Sequence, residues 1–184
     1  MLKTLLFAAL IGLPAVANAD NPKNPTPFGT EAPKAALTPG DAVPNFSLTN
    51  VDGKTVNLQD LRGKVVVVEF FNPDCPFIVH GHKKGPLTTL PAKWTEKGVE
   101  WLVINSNRPG AQGAGVERNQ KAQGEYSLPA PVFWDDTSAV ARAFDAKVTP
   151  ELFIIDAKGQ LAYAGGQDNA PRGKVRNGEL RIFA

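Results

Sequence analysis

The stretch of sequence that decides the fold is residues 64–77, which read KVVVVEFFNPDCPF. Its first part is apolar over residues 65–71 except for Glu69, as is typical of a central strand covered on both faces. Its second part places Cys75 just after that strand, and Pro76 suits the first position of a helix. A thiol there points at the first backbone N–H groups of the helix, whose partial positive charge favours thiolate over thiol.

Strand and helix patterns alternate on both sides of this stretch. The helix after Cys75 is predicted to be short, because Gly81, Gly85 and Pro86 interrupt it. Thr137 is predicted to be the N-cap of a later helix. Further strands are predicted at 46–48, 99–104 and 130–134, further helices at 87–97, 117–123 and 137–144, and a terminal hairpin at 151–165. This order predicts an α/β fold with a mixed central sheet and helices on both faces.

Length and composition are those of one globular domain. Of the 184 residues, 42% are apolar, which is enough for a substantial core. The net charge is +2, and the basic residues are scattered along the chain rather than clustered. This pattern argues against nucleic acid as a partner and gives no reason to expect binding to anionic lipid.

The first nineteen residues have the form of a signal peptide. Lys3 precedes an apolar run over residues 5–16, and Ala17-Asn-Ala19 resembles a cleavage site. The apolar run is too short to span a bilayer, so no integral membrane segment is expected after cleavage; an uncleaved anchor is the alternative. We therefore predict a periplasmic or secreted protein with an extended leader at 20–40. The folded domain is predicted at 41–184, with an atypical part after about residue 169.

Cys75 is the only cysteine in the sequence. Cysteines of exported proteins usually occur in pairs that form disulfides. An unpaired one is therefore either buried and inert or reactive with an outside partner. It cannot form a disulfide within this chain.

Three segments carry a family resemblance: FFNPDCPF at 70–77, WLVINSN at 101–107 and VTPELFIIDAKG at 148–159. Together they resemble the thioredoxin-like redoxins, and most of all the exported, peroxiredoxin-like branch near the alkyl hydroperoxide reductase and thiol-specific antioxidant group. The resemblance implies that Cys75 and Pro76 open the first long helix. It also implies that Pro150 is cis and packs beside the sulfur, while Thr149 supplies a backbone edge for a bound partner.

The sequence departs from that family at several positions. Relatives with a Cys-x-x-Cys motif have a second cysteine where Ile78 stands, and others have one at the position of Asn72 or Val148. Typical peroxiredoxins have Thr or Ser at the position of Asn72 to orient the peroxide, a role for which asparagine has the hydrogen-bonding groups. Dithiol–disulfide cycling within one chain is excluded, which leaves chemistry that uses Cys75 alone.

Three further residues are candidates for supporting roles. His80 and His82 are the only histidines, and on a continuous helix His82 returns to the face of Cys75. With Cys75 they could bind copper, although solvated loop histidines are the simpler interpretation. His80 could favour the thiolate, and Arg108 could stabilise a thiolate or a peroxide oxyanion. We predict no cofactor and no resident metal.

Three functions fit these observations. The first is an exported thiol oxidoreductase or peroxidase that acts through Cys75 with an external thiol reductant or a protein disulfide partner, and peroxide stays open as a substrate. The second is a redox-inactive binding module that uses the edge near Thr149 and Pro150. The third is a copper-handling protein that uses Cys75 with His80 or His82. We select the first.

Overall fold

A five-stranded mixed sheet forms the centre of the computed structural model, which describes residues 36–170, 174–175, 178–179 and 181–182. Its strands are β3 (Val66–Phe70), β4 (Glu100–Asn105), β5 (Phe133–Trp134), β6 (Glu151–Ile155) and β7 (Leu161–Gly165). A separate two-stranded sheet contains β1 (Ser47–Thr49) and β2 (Thr55–Asn57). The helices are α1 (Pro76–Lys84), α2 (Leu90–Thr95), α3 (Val116–Glu125) and α4 (Ala139–Phe144), with short 3₁₀ turns at Leu58–Leu61 and Pro86–Thr88.

The strand order of the main sheet is β5-β4-β3-β6-β7. Strand β3 is parallel to β4, and β4 is parallel to β5. Strand β6 is antiparallel to both of its neighbours. The apolar stretch at residues 65–71 therefore supplies the middle strand, all of whose residues are buried.

Side chains of β3 alternate between two apolar layers, one on each face of the sheet. Val68 and Phe70 face the layer to which α4 contributes Phe144. Val67 and Phe71 face the layer covered by α1, α2 and α3. The predicted α/β class, with helices on both faces of a mixed sheet, is confirmed.

Helix α1 is short, as predicted, but Gly81 does not interrupt it. It runs through this glycine to Lys84 and ends at Gly85. A Cβ at position 81 would lie 3.0 Å from Gln167 Oε1 and 3.1 Å from a methyl carbon of Leu87. Glycine therefore allows both side chains to pack against the helix, and this packing favours a continuous helix despite the low propensity of glycine.

The start of α4 also differs from the prediction, which placed Thr137 at the N-cap. Ser138 occupies that position in a left-handed conformation and makes no side-chain cap. The carboxylate of Asp135 accepts the backbone N–H groups of Ala139 and Ala141 instead, at 2.8 and 3.0 Å. A buried acidic side chain outside the helix thus satisfies the donors that an N-cap residue usually satisfies.

The predicted signal peptide at 1–19 and most of the predicted leader, residues 20–35, lie outside the described residues. Near the other end, Asp168 and Ile182 form an isolated antiparallel bridge, and Asn169 N–H donates to Arg181 O at 3.2 Å. In the described ranges, no helix combines the length and apolar character that crossing a membrane requires. The domain boundaries stay a prediction.

Candidate active site at the start of helix α1

Cys75 is the N-cap residue of α1, and Pro76 is the first helical residue. The Cys75 N–H donates to Asn72 O at 3.0 Å, which closes a turn between β3 and the helix. Its carbonyl oxygen accepts the N–H of Val79 at 2.9 Å, the first hydrogen bond of the helix. The sulfur therefore lies at the positive end of a nine-residue helix, as predicted, although it makes no hydrogen bond to the helix N–H groups.

The turn before β6 supplies the other side of the site. Sγ of Cys75 donates to the carbonyl oxygen of Thr149 at 3.2 Å, and the peptide bond between Thr149 and Pro150 is cis. The thiol is half-buried. Residues 74 positions apart in the chain are thus in direct contact, and the cis geometry implied by the resemblance is confirmed.

The side chain of Asn72 braces the turn that carries the cysteine. Its Oδ1 accepts the N–H of Asp74 at 2.9 Å, and its Nδ2 donates to Gln112 O at 3.4 Å. Gly113 approaches from the same loop so closely that a Cβ there would lie 2.1 Å from Asn72 Oδ1. The loop after β4 therefore fixes one side of the turn.

Helix α3 fixes the other side of the turn through Arg118 and Tyr126. Nε and Nη2 of Arg118 both donate to Oδ1 of Asp74, at 2.8 and 2.7 Å, and Nη1 lies 3.1 Å from Glu125 Oε2. Burial lowers the pKa of Arg118, but hydrogen bonding and charge attraction to Asp74 and then Glu125 outweigh it, so the pKa lies above its ordinary value. The Tyr126 hydroxyl donates to Pro73 O at 2.6 Å.

Replacing Tyr126 by phenylalanine tests this bracing. Burial raises the pKa of Tyr126 above its ordinary value of 10.0, so the unfolded chain loses the phenolic proton at lower pH than the folded chain does. The free energy of unfolding of the wild type should therefore fall as the pH rises above 10. Tyr126→Phe should lose about 1 kcal/mol at neutral pH and show a weaker alkaline fall. Urea titrations at neutral and alkaline pH measure both effects, and identical alkaline profiles would contradict this assignment.

A buried polar cluster lies beneath α1. Oε1 of Glu69 is 2.6 Å from His82 Nε2, and Oε2 of Glu69 accepts Trp101 Nε1–H at 2.9 Å. The side chains of Glu69 and His82 are wholly buried, and the His82 ring packs against Phe71 and Tyr126. The interpretation of His82 as a solvated loop residue is wrong, because the continuous α1 turns it into the core.

The remaining candidates do not assemble around the sulfur. Within the described part of the chain, no group of three or more His, Cys, Asp or Glu side chains could hold a metal ion, and Nε2 of His82 is already engaged by Glu69. The copper hypothesis therefore has no structural support. His80 is half-buried, and Arg108 is exposed. No ion pair of Arg108 is found among the described residues.

Sequence reasoning did not predict the roles of Glu69 and Arg118. A signal for Glu69 was present, because one acidic residue in an otherwise apolar strand requires a buried partner. For Arg118 there was none, since it is one scattered charge on a helix whose orientation depends on tertiary packing. The cysteine and the Thr149–Pro150 pair, in contrast, are brought together as predicted.

A groove of ≈ 720 Å³ runs beside Thr149. Polar and apolar side chains line it in about equal measure, among them Ser106, Asn107, Arg142 and Lys147 on the polar side and Phe70 and Val148 on the apolar side. Val148 stands next to Thr149 and is 62% exposed. Thr149, whose carbonyl oxygen accepts from the sulfur, thus borders this groove.

A mixed sheet of this order, with a cysteine at the start of its first long helix and a cis proline in contact range, defines a thioredoxin-like protein. The family model described as Redoxin matches residues 38–179. The chain belongs to the Redoxin family.

Curated relatives and solved structures agree with this assignment. The chain is 29% identical to thiol-disulfide oxidoreductase ResA of Bacillus cereus over 134 residues, 72% of each chain. It is 27% identical to the protein of that name from Bacillus subtilis, over 71% of this chain and 68% of the relative. An uncharacterized conserved protein from Geobacillus kaustophilus is similar in structure, with a TM-score of 0.68 and 32% identity over 79% of this chain and 76% of that one.

A hypothetical protein from Sinorhizobium meliloti 1021 also has a TM-score of 0.68, with 27% identity over 78% of this chain and 77% of that one. The curated relatives above are thiol-disulfide oxidoreductases by name. The placement in a peroxiredoxin-like branch stays a prediction.

Proposed function

We propose that this protein is a thiol-disulfide oxidoreductase that works through the single sulfur of Cys75. The observation that carries the proposal is the position of Sγ at the N-terminus of α1, half-buried and 3.2 Å from Thr149 O. A helix N-terminus favours the thiolate, which is the nucleophile in disulfide exchange. The names of the relatives support the same reaction class.

A second sulfur cannot take part from within the chain. The position three residues after Cys75 is Ile78, which is fully buried in the apolar layer under α1. That side chain fills core volume and offers no group for exchange. The thiol that completes the reaction must therefore come from outside the chain.

The proposed reaction has two exchange steps. The Cys75 thiolate attacks one sulfur of a partner disulfide, so that a new S–S bond forms while the old one breaks and the other partner sulfur leaves as a thiolate. An external thiolate then attacks the partner sulfur of this mixed disulfide. Cys75 leaves as a thiolate, and the external thiol remains bonded to the partner, so one S–S bond persists throughout.

Mixed disulfide formation with oxidised glutathione tests the proposal. Mass spectrometry at neutral pH should show one glutathione on Cys75, and Cys75→Ser should show none. The native protein should react about 10-fold faster than the same chain unfolded in urea, because only the fold places the sulfur at a helix terminus. A native rate equal to or below the unfolded rate would overturn the proposal.

A parallel sample tests the peroxidase alternative. The protein is treated with limiting hydrogen peroxide in the presence of a sulfenic-acid trap. If disulfides are the substrates, the trap should label Cys75 more slowly than oxidised glutathione exchanges with it. Faster labelling by peroxide would identify a peroxidase. Binding of peptides without either reaction would identify the redox-inactive binding module.

We also propose that the protein is exported and acts in the periplasm or outside the cell. The supporting observation is the pattern of Lys3, the apolar run at 5–16 and the small residues at 17–19. Expression of the full chain in a bacterium with sequencing of the mature N-terminus tests it. A mature chain that begins at Asp20 in the periplasmic fraction is expected, and an uncleaved chain in the membrane would contradict it.

A further inference from the structure

Asp74 is an acidic residue adjacent in sequence to the cysteine of the proposed reaction. It precedes Cys75 in the chain and lies in the same turn, held by the hydrogen bond from its N–H to Asn72 Oδ1. A negative charge there opposes formation of a thiolate. A positive charge paired with Asp74 would reduce this opposition.

Arg118 supplies that charge from helix α3. Two of its nitrogens donate to one oxygen of Asp74, and the side chains of Arg118 and Asp74 are only 25% and 31% exposed. Solvent screens a half-buried pair less than an exposed one. Oε2 of Glu125 lies 3.1 Å from Nη1 of Arg118, so it holds the guanidinium from the other side and keeps it in this orientation.

We propose that Arg118 is a positioning residue that makes Cys75 reactive by neutralising and orienting the Asp74 carboxylate. The inference rests on the proposed function, because it concerns the nucleophile of that reaction. Removal of Arg118 would leave the Asp74 carboxylate uncompensated in the turn that carries the sulfur. If both charges are removed, the positive N-terminus of α1 still favours the thiolate, and neither Asp74 nor Arg118 affects it.

The alternative is that Arg118 only holds the turn mechanically, as a clamp. A double variant separates this mechanical role from the electrostatic role. If Arg118 acts only by holding the turn, Asp74→Asn combined with Arg118→Met loses the clamp and stays as slow as Arg118→Met. If Arg118 acts by charge, the double variant recovers the reactivity of the wild type. Arg118→Lys keeps the charge and should retain most of the reactivity.

Alkylation by iodoacetamide measures the reactivity of the sulfur without any disulfide. The thiolate forms an S–C bond as iodide leaves, and the sequence offers no second cysteine to confuse the product. Rates over a range of pH should be measured for the wild type, the variants above, Asp74→Asn and Lys121→Met. Lys121 is the matched control, because it lies on α3 and is paired with Glu125 at 3.8 Å rather than with Asp74.

At neutral pH, Arg118→Met should be alkylated about 3- to 10-fold more slowly than the wild type, with the midpoint of the pH–rate profile moved upward. Asp74→Asn should be at least as fast as the wild type, and the double variant should return to the wild-type rate. Lys121→Met should change little. High salt should shrink the defect of Arg118→Met.

The other ionisable groups on the elements around this turn stay constant in the Arg118 and Asp74 variants. They include His80 and His82 on α1, Glu125 and Tyr126 on and after α3, and Lys147 and Glu151 before and in β6. Arg118→Met also removes a partner of Glu125, but the double variant removes it as well, so recovery in the double variant assigns the change in the midpoint to the Arg118–Asp74 pair.

Two results would overturn the inference: a double variant as slow as Arg118→Met, or an Arg118→Met profile equal to that of the wild type. Circular dichroism establishes that each variant is folded. If Arg118→Met does not fold, the comparison of Asp74→Asn, the double variant and Arg118→Lys decides the same question. A wild type that is alkylated in this manner but does not exchange with glutathione would refute the proposed function and leave the inference standing.

Discussion

Replacing Glu69 by alanine is expected to lower the free energy of unfolding by about 3–5 kcal/mol. The side chain of Glu69 is wholly buried, accepts Trp101 Nε1–H at 2.9 Å and is hydrogen-bonded to Nε2 of His82 at 2.6 Å. Alanine would leave both ring nitrogens without a partner in a layer of apolar side chains, and it would also open a cavity. Urea unfolding followed by tryptophan fluorescence and circular dichroism measures the loss.

Two further variants show whether the loss comes from unpaired donors. Glu69→Gln keeps the shape and one acceptor but turns an N–H group toward the second donor, so a smaller loss of about 1–3 kcal/mol is expected. Glu100→Ala is the matched control, because Glu100 lies on the neighbouring strand and pairs with Lys64 at a half-exposed position. It should change stability by less than about 1 kcal/mol. A Glu69→Ala loss no larger than that of the control would contradict the assignment.

Residues that act through local pattern were predictable from the sequence. The apolar runs gave the middle strands, since a strand covered on both faces has no polar alternation. The helix predicted at 87–97 is present but begins only at Leu90, which places Pro91 in its first turn, where proline is tolerated. Asp156 and Gly159 close the hairpin between β6 and β7 with a hydrogen bond of 2.8 Å. These features depend on backbone chemistry within a few residues.

Features that depend on packing between distant segments were not predictable. Gly81 looked like a helix breaker, and only the approach of Gln167 and Leu87 explains why α1 continues through it. The burial of His82 follows from that continuity. The bond of Arg118 to Asp74 joins residues 44 positions apart, and neither residue type nor spacing signals it.

The site could be predicted only as far as the family resemblance reached. Cys75 and Pro150 match positions in the family motifs, so the resemblance predicted that they lie close together. The groups that brace the cysteine turn lie outside those motifs: the loop after β4 contacts Asn72, and α3 with the residue after it contacts Asp74 and Pro73. Two segments, the loop after β4 and helix α3, thus hold the turn that carries the sulfur. Substitutions in each segment should test its contribution separately.

Gly113→Ala is expected to disturb the turn that carries Cys75 more than a glycine-to-alanine change elsewhere in the loop after β4. Gly113 has φ +77, and a Cβ would lie 2.1 Å from Asn72 Oδ1 and 3.3 Å from Pro73 Cδ. Asn72 would have to move, which breaks its bond to the Asp74 N–H. Strain in the left-handed region costs about 1–2 kcal/mol, and overpacking adds about 1–3 kcal/mol. Because a small displacement of a reacting atom can cost up to ~100-fold in rate, glutathione exchange at Cys75 should slow by about 10- to 100-fold.

Gly110→Ala separates the strain from the collision. Gly110 lies in the same loop with φ +82, but a Cβ there meets nothing within 4 Å. This variant should lose only about 1–2 kcal/mol from backbone strain and exchange at the wild-type rate. Equal rates for Gly113→Ala and Gly110→Ala would mean that the loop does not control the sulfur. A slow Gly113→Ala beside a normal Gly110→Ala would show that the position of Asn72, rather than the stability of the loop, sets the reactivity of Cys75.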